Sequence, residues 1–277
     1  MPSRQAVLAE RYRDAVIDVR NRVSTRVDRT WRDLGSWDEA DVARFQARVL
    51  PVVQAGQRRT VALTDAYLAR ATRTRPVGLV ADDLIGAAVR NGTDPADVYR
   101  RPFVQLWTAL SNGAQFMDAM NAAGVRAAQS ASSDVSLSMR ASADAFQEQA
   151  TGPVESDIIG WERVLDPDAC AYCATASTQR YRSANLAPIH VNCQCGIAPV
   201  FAENDRAIKD FNRQVLRNIK DANAGADRPY WEARHFRVDG TTGEVILPEV
   251  AVHEHGELGA VITDAAHAFS GPGDIPA

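Results

Sequence analysis

Four cysteines are the residues best placed to do chemistry, because they fall within 26 positions and the other 251 positions hold none. Cys170 and Cys173 form a C-x-x-C pair, a spacing that lets two thiolates bind one metal cation. His190, Cys193 and Cys195 add three further donors from a second segment. Thiolates and imidazoles supplied by two separate segments are the usual ligands of zinc. The sequence therefore predicts a zinc ion bound by four of these five side chains.

The donor set is one ligand too large for a structural zinc site, which takes four. The preferred set is Cys170, Cys173, His190 and Cys195, and a set of four thiolates is the close alternative. A catalytic zinc ion keeps one position open for water and commonly has a general base nearby. Because donors are in excess here, we expect a closed site with a structural role and no catalytic residue.

The cysteines have two other interpretations, a disulfide pair and unrelated buried thiols. The first residues of the chain carry charges where an export signal needs an apolar core. We therefore expect synthesis in a cytoplasm, where disulfides are rare. Unrelated thiols have no reason to cluster so tightly, so the metal site remains the preferred interpretation.

Three other groups of residues have the types needed for chemistry, but each has a plainer explanation. Glu162 and Asp166 are close enough in sequence for acid–base work, yet charges exposed at the end of a strand are commoner. His253 and His255 have the spacing to share a metal on a strand, and solvated polar side chains again explain them better. The serine-rich run 130–138 lacks a G-x-S-x-G nucleophile elbow.

The elements that position the cysteines begin with a helical first half. Apolar residues recur at steps of three and four from 4 to 34, which predicts one amphipathic helix. Ser36 and Glu39 fit a capping box that starts a second helix near 37. Further helices are predicted at 82–90, after Asp94 and over 128–145, with a kink or split at Pro51, a kink or new start at Pro102, and breaks at Gly113 and Gly124.

The second half has the pattern of a small mixed unit. Residues 157–165 and 196–201 are predicted as a strand and a return strand on either side of the cysteines. A helix over 208–219, the strand-like pieces HFRV and EVIL, and a loose tail at 270–277 follow. The predicted fold class is α+β, divided into a mainly helical domain at 1–150, a small zinc-stabilised α+β domain at 151–250 and a β-rich extension with a flexible tail at 251–277.

Composition bounds the class of protein. The chain has 277 residues, of which 45% are apolar and 24% are charged, a globular proportion. It contains no run of 18 or more apolar residues, so we expect no membrane-spanning helix. The net charge is −4, with the acidic excess in the second half, which argues against a general nucleic-acid-binding protein.

Two segments of the chain resemble the phage Mu F-like head morphogenesis family, also called minor head proteins. The matching boxes are D-P-D-A-C-A-Y-C, with Asp166, Cys170 and Cys173, and P-I-H-V-N-C-Q-C, with Pro188, His190, Asn192, Cys193 and Cys195. The match covers 155–201, and Gln194 departs from the family, which often has arginine there. The segment that starts at His255 also resembles the endings of minor capsid proteins of actinobacterial tailed phages.

The resemblance implies a low-copy component of the virion, inside the capsid near the portal, which is assembled in the host cytoplasm. It implies the portal protein as partner, with the major capsid or scaffold protein and packaged DNA as further contacts, and neither a membrane nor a small-molecule substrate. The alternative function is a capsid maturation protease, and a zinc-dependent nucleic-acid-binding module is the third interpretation.

Overall fold

The computed structural model describes residues 4–150, 158–165, 173, 176–186, 188, 193, 195–204, 209 and 213, together with the backbone of 237–238, 245–246, 250–255 and 259–264. The chain is mainly helical in this part, with small antiparallel sheets. The elements are α1 Arg4–Arg32, α2 Glu39–Thr72, α3 Pro95–Ser111, α4 Phe116–Gln149, β1 Ile158–Val164, β2 Gly196–Phe201, β3 Arg237–Val238, β4 Val245–Ile246, β5 Val250–His255 and β6 Gly259–Asp264.

Helix α1 follows the predicted apolar face. Val16, Val23, Val27 and Trp31 recur along it at helical spacing and are all buried. The prediction of one helix over 4–34 is therefore confirmed to within two residues. Burial of these side chains against α2 and α4, rather than helix propensity, is the main source of the stability of α1.

Helix α2 starts two residues later than predicted. Asp38, not Ser36, is the N-cap, and its side chain accepts a hydrogen bond from the backbone N–H of Asp41. The Asp41 carboxylate in turn accepts from the backbone N–H groups of Ser36 and Trp37. Asp38 and Asp41 therefore cap the start of α2 together, but Asp41 binds the two residues before the N-cap, so the arrangement differs from a capping box, in which it would bind the N–H of Asp38 itself. These hydrogen bonds, with Arg44 beside it, hold the pKa of Asp41 below its usual value against the opposing effect of burial, which is the largest single influence.

Helices α2, α3 and α4 run unbroken through Pro51, Pro102 and Gly124, so the predicted split at Pro51, new start at Pro102 and break at Gly124 are wrong. The alternative of a kink at either proline stays a prediction. At Pro51 the backbone bond that proline cannot donate would have gone to Ala47. Both residues lie on the exposed face of α2, where water can replace the lost donor. The break at Gly113 is confirmed, with a positive φ of 84° between α3 and α4. The helix predicted at 82–90 is instead a pair of 3₁₀ turns, Ala81–Leu84 and Gly86–Arg90.

Gly124 is needed for packing rather than for a turn. A Cβ there would lie 2.7 Å from Cδ1 and 2.9 Å from Nε1 of Trp31. The indole is completely buried, donates from Nε1 to the carbonyl of Met120 and packs edge-on against Phe45 and Phe103. The glycine therefore lets α4 approach α1 closely at the largest side chain of the core.

A buried polar network crosses the bundle beside this core. The Asp134 carboxylate of α4 accepts hydrogen bonds from Arg90 Nε at 2.5 Å and from the Tyr99 hydroxyl at 2.6 Å. Arg90 Nη2 also donates to the carbonyl of Ser130. An ion pair that is buried and bonded in this way fixes how the 3₁₀ turn, α3 and α4 meet.

Strands β1 and β2 form a two-stranded antiparallel sheet, which confirms the predicted strand and return strand. The sheet packs on α1 and α2, and Trp161 of β1 and Ile197 of β2 belong to the same buried cluster as the helix side chains. Strands β3 and β4, and β5 and β6, form two further antiparallel hairpins.

Several predictions fall outside the described residues. They are the helix built on Ile208, Phe211, Val215 and Ile219 and the tail at 270–277. The division of the chain into domains at 150 and 250 stays a prediction. None of the helices that the structure describes has the length and apolar content to cross a bilayer.

Candidate metal centre

Three cysteines meet in a buried cluster beside the β1–β2 sheet. Cys173, Cys193 and Cys195 have 1–2% of their surface exposed, and their Sγ atoms all lie within 4.8 Å of one another. The Sγ atoms of Cys173 and Cys193 are 3.7 Å apart, far beyond the roughly 2.05 Å of a disulfide. Two thiolates on one tetrahedral zinc ion stand about 3.8 Å apart, given Zn–S bonds of about 2.3 Å. The three sulfurs therefore lie close enough to hold a metal ion.

The sheet positions the cluster through the residues at its edge. Cys195 directly precedes β2, whose six residues are all buried. Leu165, which directly follows β1, packs on the three cysteines. Arg13 of α1 donates from Nη1 to the Leu165 carbonyl at 2.7 Å. The end of β1 and the start of β2 are thus fixed against α1, and with them one wall of the cluster.

The structure brings together donors from both predicted segments. Cys173 belongs to the C-x-x-C pair, and Cys193 and Cys195 belong to the second box. Cys193, which the preferred set of four left out, is one of the three. Cys170, which both predicted sets include, and His190, which only the preferred set includes, lie outside the described residues. Their part in the site stays a prediction.

A buried arginine that belongs to no sequence motif lies next to the cysteine cluster. Arg140 of α4 is 3% exposed and donates from Nη2 to the carbonyl of Cys193 at 3.0 Å. Its Nε has no hydrogen-bond partner among the described residues. Burial lowers the pKa of Arg140, and the three cysteines act in the opposite direction. The only signal in the sequence was a single cation within a run of small residues, and that pattern does not say what the cation faces.

Two charged residues, Glu162 and Arg163, lie near the end of β1 that leads to the cysteines. Arg163 is buried, its Nε lies 3.3 Å from the Tyr181 hydroxyl, and its guanidinium stands 5.2 Å from the centre of that ring. Glu162 was expected to be exposed, but it is partly buried, and burial raises its pKa to about 7 although Arg180 acts to lower it. Asp166 lies outside the described residues.

The second pair of histidines lies on a different hairpin. His253 and His255 belong to β5, where they pair in register with Val261 and Gly259 of β6. Only the backbone of this hairpin is described, so the prediction that these histidines are solvated stays a prediction.

Comparisons of the chain with models of protein families, with curated proteins and with solved structures find no match. The cysteine geometry and the two sequence boxes are therefore the grounds for a functional proposal.

Proposed function

We propose that the chain is a minor head protein of a tailed phage, of the Mu F-like kind, which acts at the portal vertex during head assembly and contains a structural zinc ion. The proposal is carried by one observation. The two boxes on which the family resemblance rests contribute Cys173, Cys193 and Cys195, and these residues meet in one buried cluster. A shared metal is a physical reason for the two boxes to occur together.

The metal has a structural role in this proposal because the sheet beside it is small. An isolated two-stranded sheet is at best marginally stable in water. Three thiolates and one further ligand would close the coordination shell of zinc and leave no position for substrate. The zinc would then add folding free energy to a two-stranded sheet that otherwise depends on its packing against α1 and α2.

The proposed partner is the portal protein, with the major capsid or scaffold protein and packaged DNA as further contacts. The four helices would provide the docking surface, since they make up most of the described chain. In the proposal the protein acts by binding, in the virion, near the portal.

Quantitative mass spectrometry of purified procapsids and mature virions of the encoding phage tests the location. We expect intact chain at low copy number in both particles. Loss of the chain between procapsid and virion, together with a trimmed capsid protein, would favour a maturation protease instead. Absence from both particles would refute the proposal.

The zinc is tested with a matched pair of variants. Cys193→Ser removes a proposed ligand, whereas Ala198→Ser places the same hydroxyl at a buried position of β2 that offers no ligand. We expect wild type and Ala198→Ser to retain about one zinc ion per chain by elemental analysis, and Cys193→Ser to lose it. Equal zinc content in all three proteins, or none in wild type, would contradict a metal centre at the cysteines.

A further inference from the structure

We propose that Arg140 is the counter-cation of the cysteine centre, so that metal binding at the sheet is coupled electrostatically to helix α4. This inference rests on the proposed metal centre and adds a residue from a distant part of the sequence to it. The geometry comes from one contact, the hydrogen bond from Arg140 Nη2 to the carbonyl of Cys193 at 3.0 Å. The guanidinium therefore lies against the backbone of a proposed ligand.

The burial of Arg140 requires an explanation. A guanidinium removed from water loses much solvation energy unless anions or several acceptors replace the water. Arg140 is 3% exposed, and its Nε has no partner among the described residues. Among the described residues one carbonyl accepts a hydrogen bond from Arg140, and one carbonyl does not satisfy five N–H donors. In comparison, the buried Arg90 of the same bundle lies directly on the carboxylate of Asp134.

Among the residues that the structure describes, no carboxylate acts as a partner of Arg140. Those whose charge acts on its guanidinium are Cys193, Cys195 and Cys173, which favour the cation, and Arg163, which opposes it. The hydroxyl of Tyr12 is also near it, and burial raises the pKa of that phenol well above its usual value, so it is neutral at physiological pH. Within the described residues, the cysteines are the only groups near Arg140 that can become negative.

Metal binding gives the cysteines that charge. Three thiolates and one Zn²⁺ ion together carry a net charge of −1. A thiolate as fourth ligand would make this charge −2, whereas a neutral imidazole would leave it at −1. Either set is an anion that pairs with a buried cation. With neutral thiols, Arg140 has no anionic partner among the described residues. The charge balance therefore predicts that the metal-bound centre and Arg140 stabilise each other.

The test measures metal affinity in variants that separate charge from volume. Arg140→Met keeps a long side chain without charge, and Arg140→Lys keeps the charge without the planar donor group. Zinc affinity is measured by competition with a chromogenic chelator, with far-UV circular dichroism to confirm folding. We expect Arg140→Met to weaken zinc binding at least about tenfold, the usual effect of losing a group that supports a metal ligand. We expect Arg140→Lys to stay within about threefold of wild type.

A matched control is Arg20→Met. Arg20 of α1 is also buried, and its Nε donates to Ser132 of α4, eight positions before Arg140 and so about 12 Å away along the helix. This variant removes a buried guanidinium from the same helix interface, and we expect unchanged zinc affinity. If Arg20→Met weakens binding as much as Arg140→Met, the effect is general destabilisation and the inference is overturned.

Cobalt substitution adds a readout that a purely packing role would not change. A nearby cation lowers the energy of thiolate electrons, so its removal should move the sulfur-to-cobalt charge-transfer band of Arg140→Met to longer wavelength. An unmoved band together with wild-type zinc affinity would overturn the inference while leaving the metal centre intact. Failure of wild type to bind zinc would refute the metal centre itself. If Arg140→Met does not fold, the zinc affinity of Arg140→Lys tests the inference. A tenfold loss of affinity in this variant, which keeps the positive charge, would show that Arg140 does not act through its charge.

Discussion

Replacing Glu162 by glutamine should stabilise the protein at alkaline pH and leave it unchanged at acidic pH. Glu162 lies on β1, partly buried beside Tyr67 and Arg180, and burial raises its pKa from 4.5 to about 7. An acid with a raised pKa in the folded state binds its proton more tightly there than in the unfolded chain. The stability of wild type must therefore fall as the pH rises from about 4.5 to 7, and then level off.

The size of the effect follows from the shift in pKa. Each pKa unit corresponds to about 1.4 kcal/mol, so the full shift at Glu162 would correspond to about 3.4 kcal/mol above pH 7. Glu162 keeps part of its surface in water, and solvent screening reduces this value. We expect Glu162→Gln to be more stable than wild type by about 1–2 kcal/mol at about pH 8.5 and equal to it at about pH 4.

Urea unfolding of both proteins at each pH measures this difference, and urea is preferable to guanidinium chloride because it adds no salt. Other titrating groups are common to both proteins and cancel in the comparison. Glu10→Gln, on the exposed face of α1, is the control and should change stability by less than about 0.5 kcal/mol at either pH. A difference that does not vary with pH would refute the reasoning. So would a glutamine variant that is less stable at alkaline pH, because Arg180 would then outweigh burial.

Three further changes test the packing and the metal. Gly124→Ala should destabilise the protein by about 1–3 kcal/mol, because the new methyl group overlaps the Trp31 indole. In the control Gly35→Ala the methyl group meets nothing within 4 Å, so the free energy of unfolding should change by less than about 0.5 kcal/mol. Urea unfolding measures both variants. Asp134→Asn should cost about 3–5 kcal/mol by thermal unfolding, because it leaves the buried Arg90 without its anion. A strong zinc chelator should lower the Tm of wild type and leave that of Cys193→Ser unchanged, and equal shifts in both would count against the metal.

The parts of the fold that could be predicted from the sequence are those set by local pattern. The period of apolar residues predicted α1 to within two residues, and two short strand-like runs on either side of the cysteines predicted β1 and β2. The predicted split at Pro51 and break at Gly124 were wrong because tertiary surroundings, not local sequence, determine whether the helix continues at these residues. Pro51 lies on an exposed face where water can compensate, and Gly124 is a packing contact with Trp31.

In the candidate site, too, some residues could be predicted from local sequence and others could not. Motif spacing was enough to identify Cys173, Cys193 and Cys195 as candidate ligands, since a shared metal is the usual cause of such spacing. Arg140 could not be found by spacing, because its role depends on which residues of a distant segment face it. Likewise, the partial burial of Glu162 depends on helix side chains that no strand pattern contains.

The contact between Arg13 and Leu165 also bears on how the chain folds as it is synthesised. These two residues are 152 positions apart, and α1 packs on α4, which is distant in sequence, about as extensively as on α2, which follows it directly. During synthesis, part of the apolar face of α1 therefore stays uncovered until residues beyond 116 have left the ribosome. Contacts between segments so far apart in sequence slow folding and leave nascent chains prone to aggregation. Expression yield should accordingly depend on chaperone supply and on translation rate across the first half of the chain.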